Sequence, residues 1–402
     1  MDDERPVRYD PYDTTVHEDP YPLYSRLRNE DPVHHVEHRD YWVLSRFADV
    51  FAAAGDGATF SSAEGLTFEP DEIAQLGLAP TMVMMDRPEH TTYRRLVSRG
   101  FTPRQVAGLE PAVRAFVRER VAALTDAGEG DLIELLAGPL PTLVVATYLG
   151  VPEADRAQFD TWSAAIVSAN ARGDAIGGAA AAVAAVAAVA GLYGYFRELV
   201  ARRRREPADD MLSDLVAAAV DGEPLDLVRI LGYCFVMIAG GNDTVTGLLG
   251  GAAVALTEEP EQRRRLAEDP SLIPGAVEEL LRWTSPVQGL CRTTTREVAI
   301  GDRTIPAGRK VHLLYGSANR DPREFGPSAD RLDVARRAPR MMAFGGGPHH
   351  CIGAAAARLQ GRVALEELLA AAPDVTADLD RGRLAPGPFV RRYESLPVRV
   401  RP

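Results

Sequence analysis

The sequence predicts a mainly α-helical chain with small β-sheets, a large helical part followed by a small β-rich part. Three observations carry that expectation. From residue 88 to 283 the chain is strongly helical in pattern. Residues 298–314 (VAIGDRTIPAGRKVHLL) alternate and are punctuated by GD and PAG turns, as hairpins are. No repeat or clear linker interrupts the 402 residues, which are 46% hydrophobic and 25% charged, so residues 1–402 are expected to form one domain.

Taken in order, residues 21–30 (YPLYSRLRNE) read as a short helix behind the Asp19-Pro20 start signal. Residues 32–45 carry aromatic and β-branched side chains around a polar turn, as paired strands do, and 46–54 form a helix. The stretch 61–85 is irregular, and a connection of that length is usually functional or mobile. A helix covers 89–99. In Thr102-Pro103-Arg104-Gln105 the Thr caps, the Pro takes the first helical position and the Gln reaches back, starting a helix to about Ala123. Further helices are expected near 139–149, 153–170, 178–205, 209–219, 225–257, 259–268 and 271–283. Arginine-rich coil spans 319–343, and a helix and a short β-like tail (395–400) close the chain.

The formal net charge of −12 argues against general nucleic-acid binding, which wants a basic face. Cys234, Cys291 and Cys351 are too scattered for a zinc spacing or a disulfide framework, and fit a reducing compartment. The acidic start, MDDERPVRYDPYD, lacks a signal pattern, so a cytoplasmic location is expected. Neither 175–196, which is mostly alanine, nor 230–256, with Asp243 at its middle, reads as a membrane span.

One loop stands out. Residues 344–353, FGGGPHHCIG, deliver a cysteine at the start of a helical run. Three glycines permit close approaches, and a helix start offers N–H groups and the positive dipole end, which favour thiolate over thiol. On the loop alone a buried structural cysteine, a phosphate cradle, a plain turn and a site for a sulfur anion all stay open.

Two further motifs precede the loop: Gly240-Gly241-Asn242-Asp243-Thr244 within a long apolar helix, and Glu279-Leu280-Leu281-Arg282. The loop itself matches Phe-x-x-Gly-x-His-x-Cys-x-Gly through Phe344, Gly347, His349, Cys351 and Gly353. In this order the three resemble the cytochrome P-450 family of haem-thiolate monooxygenases, over nearly the whole chain, and so imply that family's fold around a buried haem b.

The resemblance implies that Cys351 is the axial iron ligand, whose thiolate favours O–O cleavage, with Phe344 packed near the sulfur. His90, Arg94, Arg292 and His349 would meet the haem propionates. His90 and Arg94 are four apart, hence on one helix face. Glu279 and Arg282 would form a buried scaffold network with Arg331. Gly240 and Gly241 each cost a helix roughly 1 kcal/mol against alanine, which needs a reason. Close helix packing is one, and room for dioxygen is the other. Asp243 and Thr244 would deliver protons during oxygen activation; Val245 departs mildly from the commoner Thr or Ser.

Substrate contacts are expected from 61–85, 165–195, the long helix and the segments near 288 and 389: among them Met84, Ile238, Val287, Gln288 and Phe389, though each could equally be core. The mostly apolar set implies a lipophilic substrate such as a steroid, terpenoid, fatty acid or polyketide, hydroxylated or epoxidised. Oxidative coupling, dehydration and a haem-binding protein without turnover are the alternatives. No flavin or iron–sulfur signature is present, so a separate ferredoxin or flavodoxin system is implied, docking on a basic cluster of Arg95, Arg99, Arg104, Arg340, His350, Arg358 and Arg362. A monomer is expected.

Overall fold

The computed structural model describes residues 7–68, 80–163, 165 and 178–400, with no account of the side chains of 178–185. Its β-rich part is a five-stranded sheet built from both ends of the chain. Strands β1 (Val33–Val36) and β2 (Tyr41–Leu44) form an antiparallel hairpin turned at Asp40, which takes the left-handed conformation that Asp tolerates. β3 is Phe60–Ser61, β4 is Leu290–Thr294 and β5 is Lys310–Leu313. The order is β1-β2-β5-β4-β3. β5 runs parallel to β2 and antiparallel to β4, so Arg292 on β4 sits opposite Val311. All four residues of β2 are buried.

The helical part carries the long elements: α1 (Glu89–Ser98), α2 (Pro103–Ala127), α3 (Pro139–Tyr148), α4 (Gly178–Arg205), α5 (Leu227–Glu258), α6 (Ile273–Thr284) and α7 (Ala354–Ala371). Thr102 caps α2 by accepting from the Gln105 N–H at 3.4 Å. The helix outruns its expected end by a turn, because Leu124 continues the buried stripe of Val113, Val117 and Val121. Gly128, in the left-handed conformation, then closes it by donating to the Leu124 and Thr125 carbonyls. Asp226 caps α5, whose 32 residues pass between α3, α4, α6 and α7. One apolar core runs through all of these helices.

Two further boundaries differ from expectation. The helix expected over 209–219 is Met211–Ala217, because the chain turns directly into a small hairpin, Ala219–Val220 with Glu223–Pro224. The helix expected over 153–170 opens as a 3₁₀ turn, Glu153–Asp155, and is helical over 156–163 and at 165; residues 164 and 166–170 lie outside the described residues, as do 69–79 of the expected substrate loop. Among the described residues no helix is long and apolar enough to cross a membrane.

Candidate active site

The cysteine loop is held by its own backbone. The Cys351 N–H donates to the Phe344 carbonyl at 2.9 Å, and His350 N–H to Gly347 at 3.2 Å. Gly347 adopts φ +60°, and a Cβ there would collide with the Ala54 carbonyl and stand 2.7 Å from Gly55 Cα. Only glycine satisfies both demands. The Phe344 ring packs under the Arg358 guanidinium at 4.6 Å. Cys351 keeps accessible surface, yet protein surrounds it closely enough that burial pushes its thiol up. The Gly353 and Ala354 N–H groups, Arg94 and Arg358 pull the other way without winning. The expected preference for thiolate is therefore not met by the chain alone: the donors are present, but desolvation outweighs them.

Beside the loop is a cationic cluster. His90 on α1 is buried, its ring centroid 4.3 Å from that of His349, and neither of its ring nitrogens has a hydrogen-bond partner. Arg292 is 3% exposed and donates to the Cys291 carbonyl at 2.7 Å. Arg94 donates to the His350 carbonyl at 2.5 Å. Burial, then Arg292, His90 and Arg94, pull His349 down to about 3. Among the described residues no carboxylate pairs with Arg94 or Arg292. A half-buried group of cations and unsatisfied donors is costly without an anion. The donor set fits a compact dianionic group such as a pair of propionates.

In α5 the two adjacent glycines divide the two reasons offered for them. A Cβ on Gly241 would stand 2.9 Å from Val145 Cγ2 of α3, which is close helix packing. One on Gly240 would meet nothing within 4 Å, so that turn faces open space. Thr244 Oγ donates to the Gly240 carbonyl at 2.9 Å. Asp243 is buried against Arg392, with Oδ1 2.5 Å from Nε. Burial raises the Asp243 carboxyl to about 6, against the pull of Arg392.

Glu279 and Arg282 are both fully buried and joined by two 2.7 Å hydrogen bonds. Arg282 also donates to the Asn319 and Ala329 carbonyls. The third member is not Arg331. That side chain is exposed, and only its carbonyl joins, accepting from Arg282 at 3.3 Å. Arg336 supplies the guanidinium instead, donating from Nε to Glu279 at 3.1 Å. Nothing in the sequence ranks one arginine of that coil above the next.

Of the expected substrate contacts, Met84, Val287 and Phe389 are partly exposed. Ile238 and Gln288 are corrected. Ile238 is wholly inside the helical core, and Gln288 is buried, accepting from Tyr24 and donating to the Ser285 carbonyl. Phe389 stacks on Phe68 at 4.9 Å. The basic cluster is also thinner than expected. Arg340 pairs with Glu324, Arg358 with Glu278, and Arg362 with Glu110 and Glu366. Arg392 was not anticipated: it lies in a C-terminal stretch with no periodic signal, 149 positions from its partner, and only the fold joins them.

Taken together, these features belong to one class of protein, the haem-thiolate oxygenases. A family model described as "Cytochrome P450" matches residues 185–371. The chain is 56% identical to "Cytochrome P450 130" of Mycobacterium tuberculosis over 390 residues, 95% of each chain. It is 38% identical to the "Vitamin D(3) 25-hydroxylase" of Pseudonocardia autotrophica, over 98% of this chain and 97% of the relative. In three dimensions it matches the Mycobacterium marinum cytochrome P450 CYP268A2 in complex with pseudoionone, with TM-score 0.88 and 33% identity, over 99% of this chain and 100% of the other. The chain belongs to the cytochrome P450 family. It is accordingly a monooxygenase with the P450 fold, and membership implies a haem-thiolate cofactor.

Proposed function

We propose that this chain, acting as one domain, uses a Cys351-ligated haem b to insert an oxygen atom from O2 into a lipophilic small molecule. One observation carries the reading. Arg94 donates to the carbonyl of His350, the residue directly before Cys351, and His90, one helical turn before Arg94, packs its ring on His349, so the sulfur and the anion-seeking cluster share one site. Cys351 would hold the iron; a coordinated thiol is deprotonated outright, which removes the penalty that burial imposes. His90, Arg94, Arg292 and His349 would bind the propionates, and Phe344 would pack near the sulfur. When bound, haem supplies oxygen activation, with two electrons from a separate ferredoxin or flavodoxin system. Gly240 leaves room beside Thr244. Asp243, raised to about 6, is an acid near working pH, as proton transfer favours. Met84, Val287 and Phe389 would contact substrate. The relative named as a vitamin D(3) hydroxylase and the neighbour holding pseudoionone support a lipophilic substrate class.

The test is the ferrous–carbon monoxide spectrum of purified protein. A strongly red-shifted Soret band is expected, retained in Cys234→Ser and Cys291→Ser and lost in Cys351→Ser. Persistence of that band in Cys351→Ser, or its absence from the unaltered protein, would overturn the assignment.

A further inference from the structure

We propose that Arg392, seated by a glycine notch in α5, is the positioning residue that aims Asp243 for proton delivery. The proposal rests on the reading of Asp243 as the proton-delivery acid, and it adds a residue outside the long helix to that machinery.

The notch comes first. A Cβ on Gly247 would stand 2.9 Å from the Arg391 carbonyl and 3.0 Å from Pro286 Cβ, and one on Gly250 would lie 3.6 Å from the Tyr393 ring. The segment 391–393 therefore lies directly on the helix, in ordinary contact at Gly250 and so close at Gly247 that any larger residue there would lift it. Gly247 follows Asp243 by four positions, hence on the same helix face. From that seat the Arg392 side chain reaches Asp243 with Nε 2.5 Å from Oδ1, the two side chains only 8% and 6% exposed.

The neighbours leave the role to Arg392. Arg391 is turned away, donating to the His17 and Glu18 carbonyls, while its N–H donates to the Pro286 carbonyl. Thr246 is committed to the Ala137 and Asn242 carbonyls, and Asn242 accepts from Thr142 of α3. Tyr393 is influenced by Arg391 and Glu258, further along α5. Among the described residues Arg392 is the one charged group shown acting on Asp243. Asp243 passes on a proton and regains one from solvent; Arg392 keeps its own, holding the carboxylate in place and setting its proton affinity.

Two readouts on the haem-loaded protein test this. The first is the infrared C=O stretch of protonated Asp243, identified by its loss in Asp243→Asn and titrated with pH. The second is the pH profile of peroxide released per electron delivered from NADPH through a plant-type ferredoxin and its reductase. Unaltered protein should titrate near pH 6. Removing a cation that favours the charged form raises the midpoint, so Arg392→Gln should increase proton affinity about tenfold or more. Arg392→Lys should stay near the original midpoint. Gly247→Ala changes no charge, yet by lifting the segment it should follow Arg392→Gln. The peroxide profile should move with the infrared midpoint in each. An unmoved midpoint in Arg392→Gln overturns the proposal. So does a moved midpoint with an unmoved peroxide profile, because the pair would then be structural alone. If Asp243→Asn itself leaves the peroxide profile unchanged, the acid has been misassigned and the proposal falls with it.

Discussion

Glu279 receives hydrogen bonds from three directions: two from Arg282 at 2.7 Å, one from Arg336 at 3.1 Å and one from the Asp333 N–H at 3.1 Å. A carboxylate with no exposed surface needs them all, because an unmet charge in the interior costs several kcal/mol. Arg336 also ties the coil together by donating to the Phe325 and Ser328 carbonyls. Arg336→Ala should therefore lower unfolding stability by about 2–4 kcal/mol and reduce the haem content of purified protein. Arg331→Ala should stay within about 0.5 kcal/mol of the original, since it removes only an exposed side chain. Urea midpoints and haem-to-protein ratios of the two variants decide this; equal damage from both would refute the assignment. The Glu279–Arg282 half was legible through the family resemblance; three-residue spacing by itself only places both groups on one helix face, as in many ordinary helices. The Arg336 half was not. Coil has no period, and arginines at 331, 336, 337 and 340 differ only in where the fold sends them.

At the scale of the element, α5 shows how one helix meets several demands at once. Most helices were legible to within a turn, since proline starts, side-chain caps and buried stripes act locally. The glycines of α5 were visible as anomalies, but their separate reasons lie in what faces each one. Gly240→Ala places a methyl where nothing stands within 4 Å, so it should stabilise the fold by roughly 0.5–1 kcal/mol through helix propensity and a stiffer unfolded chain. The same methyl narrows the space beside Thr244 and should slow carbon monoxide binding to the reduced haem severalfold. Gly241→Ala should do the reverse. Its methyl meets Val145 Cγ2 at 2.9 Å, costing about 1 kcal/mol or more in repacking, with little change in carbon monoxide binding. Urea unfolding and flash-photolysis rebinding measure the two effects. If the variants behave alike, the division of labour between the glycines is wrong.

Across the whole molecule, the two ends of the chain meet at a buried histidine. His312 on β5 is wholly buried, 3.5 Å from Tyr9 Oη, with the rings of Phe68 and Phe389 against it at 5.0 and 6.1 Å. The helix Thr14–Glu18 is tied to the C-terminal segment by Arg391 and by His17 against the Ala385 carbonyl at 2.7 Å. Burial drives His312 down to about 3, so the folded protein keeps it neutral while the unfolded chain protonates near 6.5. Its contribution is thus fully present above about pH 6.5 and is lost as pH falls toward 3, at up to about 1.4 kcal/mol per pH unit. Asp243 has the opposite sign. Raised to about 6, it contributes stability below its unfolded value that is lost as pH rises through that range. Between pH 7.5 and 5 the His312 loss reaches about 2 kcal/mol, and replacing the ring separates it from every other group. His312→Gln should be less stable than the unaltered protein at pH 7.5, having lost a fitted side chain. At pH 5 that gap should close by about 2 kcal/mol, because glutamine takes up no proton on unfolding. Urea unfolding of both proteins at the two pH values provides the comparison. A gap of the same size at both would mean that the acid sensitivity resides elsewhere.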